Sequence, residues 1–397
     1  MTEPIIRIAA KGEGVTASGR HIAGAVTGDV VSEDGTIEPG PHHACPPCRH
    51  FGRCGGCQLQ HADDAVLADF VTDRVLTAAR KQGIEPLAIE PAQMSPPFSR
   101  RRATLHAVNG GGRAQVGFRE AGSHRLVDIT ECHVLHPDLF ALVTPLRAML
   151  SARGGKYAAD IDLTLADGGV DCAIRNLQVE GLEQTEAMLD FARDNGLARL
   201  SLDQGYGPET SWEPEPVTIT LSGVPVPLPP GAFLQATRDG ERALLAAAQD
   251  WIGDAATVAD LFAGLGTFAF ALADKTKVLA VEAARDTHLA CQSAARAYGR
   301  PVHSLHRDLF RNPLRAEELN RFDAALLDPP RAGAREQVDQ IAESKLARVV
   351  YVSCNPASWA RDAKRMVDAG FVCREVRPVG QFRWSTHVEL ASYFTRD

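Results

Sequence analysis

Thr257–Glu282 reads TVADLFAGLGTFAFALADKTKVLAVE. An apolar run ends in a glycine turn, a short apolar stretch of helical character follows, and a second apolar run closes on Glu282. This is the signature of a strand, a tight turn, a helix and a strand. The alternation continues through VHSLHRD (302–308), FDAALLD (322–328) and RVVYVSC (348–354), with helical stretches between them. Two last apolar runs, FVCREVRPV (371–379) and HVELASYF (387–394), are separated by a short turn region. Strands alternating with helices predict a parallel sheet covered on both faces, and the closing pair predicts a terminal antiparallel hairpin. The fold class is therefore α/β, with a doubly wound, Rossmann-like domain over residues 231–397.

In such a sheet, ligands bind at the carboxyl ends of the strands. Gly264 and Gly266 allow a tight strand-to-helix turn with close backbone approach to a ligand. Glu282 ends the second strand, where an acid accepts hydrogen bonds from a ribose diol. The full GxGxxG of a pyrophosphate-binding turn is absent, because position 269 is Ala. The turn suits a nucleoside joined to an amino acid, and S-adenosylmethionine fits that description. Asp308, after the third strand, is placed to bind the adenine amino group. Asp328, after the fourth, is placed to bind the methionine ammonium or to order the site. Each could instead serve as a helix N-cap.

Two tetrapeptides close strands on the same rim: Asp328-Pro329-Pro330-Arg331 and Ser353-Cys354-Asn355-Pro356. A lone Cys at a strand end is usually a small buried apolar residue. Here Glu389 opens the last strand. If that strand is antiparallel, Glu389 starts on the rim where Cys354 ends. A thiolate and a carboxylate on one edge suit addition to C6 of a uracil, attack of C5 on a sulfonium methyl, and removal of the C5 proton so that the thiol leaves. Cys354 would supply the first step and Glu389 the last. His387 and His303 are alternative bases, although lone histidines are more often structural.

Upstream, residues 1–40 alternate short apolar stretches with glycines and predict a short β-barrel-like segment. Residues 41–230 predict an α+β domain. Helical spacing covers 63–82, Pro137–Ser151 and Leu182–Asn195. Strand-like runs include ATLHAV, AQVGF, IDLTLA, VDCAI and VTITL. Residues 204–216 predict an exposed loop, and the Pro-rich SGVPVPLPPGAF (222–233) a hinge. Four of nine cysteines crowd into 45–57, which predicts a metal site or catalysis rather than disulfides. Cys45-x2-Cys48 and Cys54-x2-Cys57 also fit zinc held by four thiolates, although the five-residue gap is short for a zinc ribbon.

The chain has 397 residues, 45% hydrophobic and 23% charged, with a formal net charge of −8. That balance argues against whole-surface binding of nucleic acid but not against a local basic face. Between Phe98 and Val127 stand Arg100, Arg101, Arg102, Arg113, Arg119 and Arg125 against Glu120 alone. No apolar run approaches the roughly 20 residues that span a bilayer. The N-terminus lacks a secretory pattern. A cytoplasmic protein with no membrane partner is the expectation, and a monomer the default.

With these residues assembled, the chain resembles the RNA 5-methyluridine methyltransferase family from Cys48 to Glu389. Cys48, Cys54-Gly55-Gly56-Cys57 and Cys132 resemble its iron–sulfur ligands. Phe233-Leu234-Gln235 is similar to its Phe-x-Gln motif, and Asp260-Leu261-Phe262 with Gly264 and Gly266 to its cofactor motif. The resemblance implies a [4Fe–4S] cluster on Cys48, Cys54, Cys57 and Cys132, leaving Cys45 outside. It places Gln235, Phe262, Thr267, Glu282, Asp308 and Asp328 at the S-adenosylmethionine site, with Cys354 as nucleophile and Glu389 as base. It makes residues 1–40 a shortened RNA-binding barrel and 231–397 the methyltransferase domain. The implied substrate is one uridine in structured RNA, with ribosomal RNA, the 23S species, favoured over transfer RNA. Three departures stand out: Thr237 where the family commonly has Asn, Arg383 where it has Pro, and Ala263 where it often has Cys. A cytosine-C5 enzyme, which shares the cysteine attack, and a noncatalytic RNA-binding protein of the same fold are the competing readings.

Overall fold

Val349–Val352 are fully buried, and so are all four residues of Ala324–Leu327. A strand buried on both faces must lie inside a sheet with layers on each side. The computed structural model, which describes residues 2–397, has this arrangement. By contacts the chain forms two units: Met1–Leu67, Pro96–Thr218 and Phe382–Thr386 in one, Ala68–Ser95, Ile219–Gln381 and His387–Asp397 in the other. This grouping does not follow the linear boundaries at 40/41 and 230/231. Short strands at Ala88–Ile89 and Gln93–Met94 pair with Val372–Gly380, which carries residues 68–95 into the second unit.

The second unit holds a nine-stranded sheet. Its order is Val302–His306, Lys277–Glu282, Thr257–Leu261, Ala324–Leu327, Arg348–Ser353, Glu389–Thr395, Val372–Gly380, then the short edge strands. The first five are parallel. The order reverses between Thr257–Leu261 and Ala324–Leu327, the place where doubly wound sheets bind ligands. Glu389–Thr395 runs antiparallel to both of its neighbours. The expected hairpin is therefore present, and its last strand inserts inside the sheet beside Arg348–Ser353 rather than adding to an edge.

The first unit holds two sheets. Thr2–Ile8 is the centre of an open, antiparallel five-stranded sheet; its outer strands His21–Ile22 and Ile37–Glu38 do not pair with each other. Thr2–Pro4 pair with Val30–Ser32 and Ile5–Ile8 with Gly14–Thr16, the second ladder carrying an irregularity between Ile5 and Arg7. Ile5, Ala25 and Val31 form its small core. The segment is thus a curled open sheet, short of a closed barrel.

The larger, seven-stranded sheet is antiparallel apart from Gly169–Arg175 and Arg199–Asp203, joined through the helix Gly181–Asp194. Lys156–Ala166 shows the governing alternation. Ala159, Ile161, Leu163 and Leu165 face a core shared with Leu146, Leu150 and Phe191, while Asp160 and Asp162 face His106 and Arg175. The helix expected over 63–82 spans Asp64–Lys81. The stretch 204–216 contains the edge strand Glu209–Trp212, held where Trp212 Nε1 donates to the Leu197 carbonyl. The Pro-rich stretch is a hairpin, Thr218–Leu221 with Val224–Pro227, turning at Ser222 and Gly223, both at positive φ. Among the described residues no helix is long and apolar enough to cross a membrane.

Candidate active site

Five parallel strands deliver Phe262, Glu282, Asp308, Asp328 and Cys354 to one carboxyl rim. At the first turn, Gly266 N-caps the helix Thr267–Leu272 at φ 90°. A Cβ there would lie 2.9 Å from both Cys291 Sγ and the Phe270 ring, so glycine is required. Phe262 also takes a positive φ, 64°, and its ring stands 5.4 Å from that of Phe310. Glu282 ties the turn to its own strand: Oε2 accepts the Gly264 N–H at 2.9 Å and Oε1 the Ala284 N–H at 2.6 Å. Asp308 closes a turn rather than capping a helix, its Oδ1 accepting from Phe310 N–H at 3.0 Å and Arg311 N–H at 3.3 Å. Asp260 lies fully buried beneath the turn. Burial pushes its carboxyl up to about 8, and the Ala269 amide offsets only part of that. A carboxylate between turn amides, an aromatic pair and a buried acid fit a cationic amino acid joined to a nucleoside.

The second half of the rim holds the reactive groups. The antiparallel ladder pairs Arg348 with Thr395 and Ser353 with Leu390. Continued by one residue, that register sets Cys354 opposite Glu389. Burial, then Glu389 and Asp328, push the Cys354 thiol up to about 11; Arg331 pulls the other way. Asp328 is raised well above the usual carboxylate range by burial, with Glu389 and Asp260 adding to it. Asn355 begins the next helix, its side chain accepting from Ala357 N–H at 3.1 Å and donating to the Arg331 carbonyl at 2.9 Å. One residue thus fixes the Cys354 turn to the Asp328-to-Arg331 loop.

Gln235 is buried, and its Nε2 donates to Asp328 Oδ2 at 3.2 Å. Thr237 caps the following helix, accepting the Gly240 N–H at 3.1 Å, which gives the hydroxyl at this departure from the family a local role. His387 is exposed and its Nδ1 meets Arg331 Nη2 at 3.0 Å. His303 is exposed near the start of its strand, away from the rim. His303 is thus off the rim, whereas His387 stands beside the loop that carries Arg331. Sequence reasoning read Asp260 only as part of a cofactor motif, and it missed Phe310 and above all Gln381, a buried amide that reaches both Gln235 and Glu389.

In the first unit, Cys48, Cys54, Cys57 and Cys132 line one largely apolar cavity with Phe51, Phe118 and Ile129. Cys45 is exposed and outside that lining. Burial raises all four lining thiols, Cys57 to about 12. The Arg100 guanidinium faces Cys132 and Cys57. Among the described residues, no three His, Cys, Asp or Glu side chains are arranged to hold a single metal ion. The arginine-rich segment is not one basic face. Arg101 is buried, Arg100 turns to the cysteine cavity and Arg102 is half-buried, because strand alternation and the core claim them. Arg113, Arg119 and Arg125 remain exposed.

The fold and rim define an S-adenosylmethionine-dependent methyltransferase of the doubly wound class. The model of the tRNA (uracil-5-)-methyltransferase family matches residues 305–397. An uncharacterized RNA methyltransferase of Zymomonas mobilis is 49% identical over 393 residues, 99% of each chain. The 23S rRNA (uracil(1939)-C(5))-methyltransferase RlmD of Pectobacterium atrosepticum is 32% identical, covering 91% of this chain and 82% of that one. The solved tRNA (uracil-54, C5)-methyltransferase of Pyrococcus abyssi, in complex with S-adenosyl-L-homocysteine, shares the fold at TM-score 0.74 and 19% identity over the full length of both. The chain belongs to the RNA uracil-C5 methyltransferase family.

Proposed function

We propose that this enzyme methylates C5 of one uridine in 23S ribosomal RNA through a covalent adduct between Cys354 and C6 of the base. Bound S-adenosylmethionine supplies an electrophilic methyl on its sulfonium. The Cys354 sulfur forms a bond to C6 and the C5=C6 electron pair moves toward C5 and the C4 carbonyl. C5 takes the methyl, and the donor's carbon–sulfur bond breaks. Glu389 removes the C5 proton, the double bond re-forms and the thiolate leaves. Gln235, Phe262, Thr267, Glu282, Asp308 and Asp328 hold the donor and the base. The target nucleotide leaves its stack to reach this rim.

The observation that carries the reading is the ladder register that sets Cys354 opposite Glu389. The thiol, protonated at neutral pH in the free protein, gives its proton to solvent before the adduct forms; Arg331 and the donor's positive charge favour that step. The test is a pair of variants. Cys354→Ala abolishes turnover and keeps RNA binding. Glu389→Gln traps a covalent RNA adduct stable to denaturing gels. Full turnover in both refutes the reading.

The ribosomal target rests on the likeness to the RlmD of Pectobacterium atrosepticum across most of both chains. The family description and the Pyrococcus abyssi structure name transfer RNA, which is the second reading. Mapping 5-methyluridine by position in RNA from cells with and without the gene separates the two, and a missing 5-methylcytidine instead would point to cytosine. The cysteine cavity is proposed to hold a [4Fe–4S] cluster on Cys48, Cys54, Cys57 and Cys132. Supporting it, four thiols line one cavity, and the Arg100 cation that faces two of them offsets part of the charge of four thiolates. A brown protein with broad visible absorption is expected; a colourless zinc protein would overturn it.

A further inference from the structure

We infer that Gln381 is a positioning residue that locks Gln235 and Glu389 into one fixed relation and holds Glu389 as a proton acceptor. The inference rests on the reading of Glu389 as the base.

Gln381 follows the strand Val372–Gly380 and is buried. Its Oε1 accepts the backbone N–H of Ala236 at 2.9 Å. An N–H group only donates, so this bond decides which end of the carboxamide is oxygen. The Nε2 end must then donate, and it reaches two acceptors: Gln235 Oε1 at 2.8 Å and Glu389 Oε2. With its oxygen engaged, Gln235 turns its own Nε2 to Asp328 Oδ2. Every bond in the relay runs one way, from the Ala236 amide outward to two carboxylates.

Packing keeps the relay from rotating. A Cβ on Gly240 would fall 2.7 Å from Gln381 Cβ, so only glycine lets the helix Arg238–Ile252 close over Gln381. That first turn is braced in its turn: the Thr237 hydroxyl is 2.9 Å from Ser95 Oγ, and the Ser95 N–H donates to the Gly380 carbonyl at 3.2 Å. Gln381 cannot swing without displacing both elements.

The charged and ionisable groups facing Glu389 come from three elements. Cys354 ends the neighbouring strand, Asp328 ends the next with Asp260 behind it, and Arg331 faces Cys354 and His387. The relay offers Glu389 a donor and no acceptor. A donor stabilises the ionised carboxylate, and its loss raises the pH at which the base sheds its proton.

The test follows C5-tritiated uridine in substrate RNA with S-adenosylmethionine. Gln381→Met keeps the length and removes every polar bond. Cofactor affinity stays within about twofold, the methylated adduct accumulates, and tritium release slows by about 10–100-fold. The acid limb of kcat moves up by about one pH unit. Gln381→Glu guards against misfolding of the first variant: its release slows more as pH rises and the new carboxyl ionises, and partly recovers at low pH where that carboxyl donates again. Glu389→Gln runs beside them. Its failure to trap an adduct defeats the base reading. Trapping by Glu389→Gln with normal tritium release in both Gln381 variants overturns the present inference alone. Parallel losses of cofactor binding, methyl transfer and release, with no adduct, also overturn it, since a residue that only supports the fold behaves that way.

Discussion

The two groups of cysteines in this chain meet burial in opposite company. Around the cavity of the first unit, four thiols face one another, apolar side chains, the Arg100 cation and the Glu131 carboxylate. At the sheet rim of the second unit, one thiol faces carboxylates and Arg331. Burial raises both sets, so acidity alone does not separate them. Their number does. Four thiols around one cavity supply enough sulfur donors to share a cationic centre. One thiol beside a carboxylate can form and break a bond to carbon. On the proposed reading, the difference gives structure to the first site and turnover to the second.

The comparison breaks most visibly if the two sites exchange phenotypes. Cys354→Ala is expected to lower methyl transfer by at least about 10⁴-fold, with the unfolding midpoint shifted by less than about 2 °C. The residue sits at a strand end and is only half-buried. Cys57→Ser, by contrast, should release the proposed cluster and lower the midpoint by more than about 5 °C. Residual activity in the Cys57 variant would follow its folded fraction. Calorimetry with metal analysis and single-turnover methylation on both proteins decides the matter. A Cys57 variant that stays folded at full stability yet cannot methylate would move the cluster into the chemistry.

A smaller effect probes the electrostatics of the rim. In the free protein, alkylation of Cys354 should accelerate with pH up to about 11. Glu389 and Asp328 both hold the thiol in its neutral form. Glu389→Gln removes one negative charge, so the thiolate forms at lower pH and the curve shifts down. Arg331→Ala removes the opposing cation and shifts it up. Rates of iodoacetamide labelling between pH 7 and 11, read on the Cys354 peptide, give the order of the three proteins. Any other order means that the loop carrying Arg331 does not face the thiol.

Much of this was readable in the sequence because it depends on local periodicity. The βα alternation from Thr257 onward and the antiparallel last strand follow from strand runs and short turns. The Cys354–Glu389 edge follows from direction alone. What escaped depends on pairings remote in sequence. Gln381 and Gln235 bond across 146 positions, and nothing near either marks the partner. Ala88–Ile89 and Gln93–Met94 are too short for any periodicity and exist because Val372–Gly380 offers them an edge. Asp260 falls within a cofactor motif, but its burial beneath the turn is a tertiary fact that the strand pattern does not mark. The arginine count misled for a related reason: charge is counted along a chain, whereas alternation sends neighbouring side chains to opposite faces.

The least effect is expected at Cys45, and that near-absence is what sharpens the comparison. Two ligand sets can be drawn from five cysteines. One is the paired Cys45, Cys48, Cys54 and Cys57; the other drops Cys45 and takes the remote Cys132. In the folded chain Cys132 lines the cavity beside Arg100, while Cys45 is exposed and outside it. Cys45→Ser should therefore leave the visible spectrum, metal content and unfolding midpoint unchanged within about 1 °C. Cys132→Ser should lose all three, although Cys132 stands far along the chain from the other thiols. The opposite pattern, with Cys45 essential and Cys132 dispensable, would mean a site closed within thirteen residues of loop. Such a site could form without the segment that carries Arg100, and a bound metal would then tie down a local loop instead of holding that loop to the core of its unit.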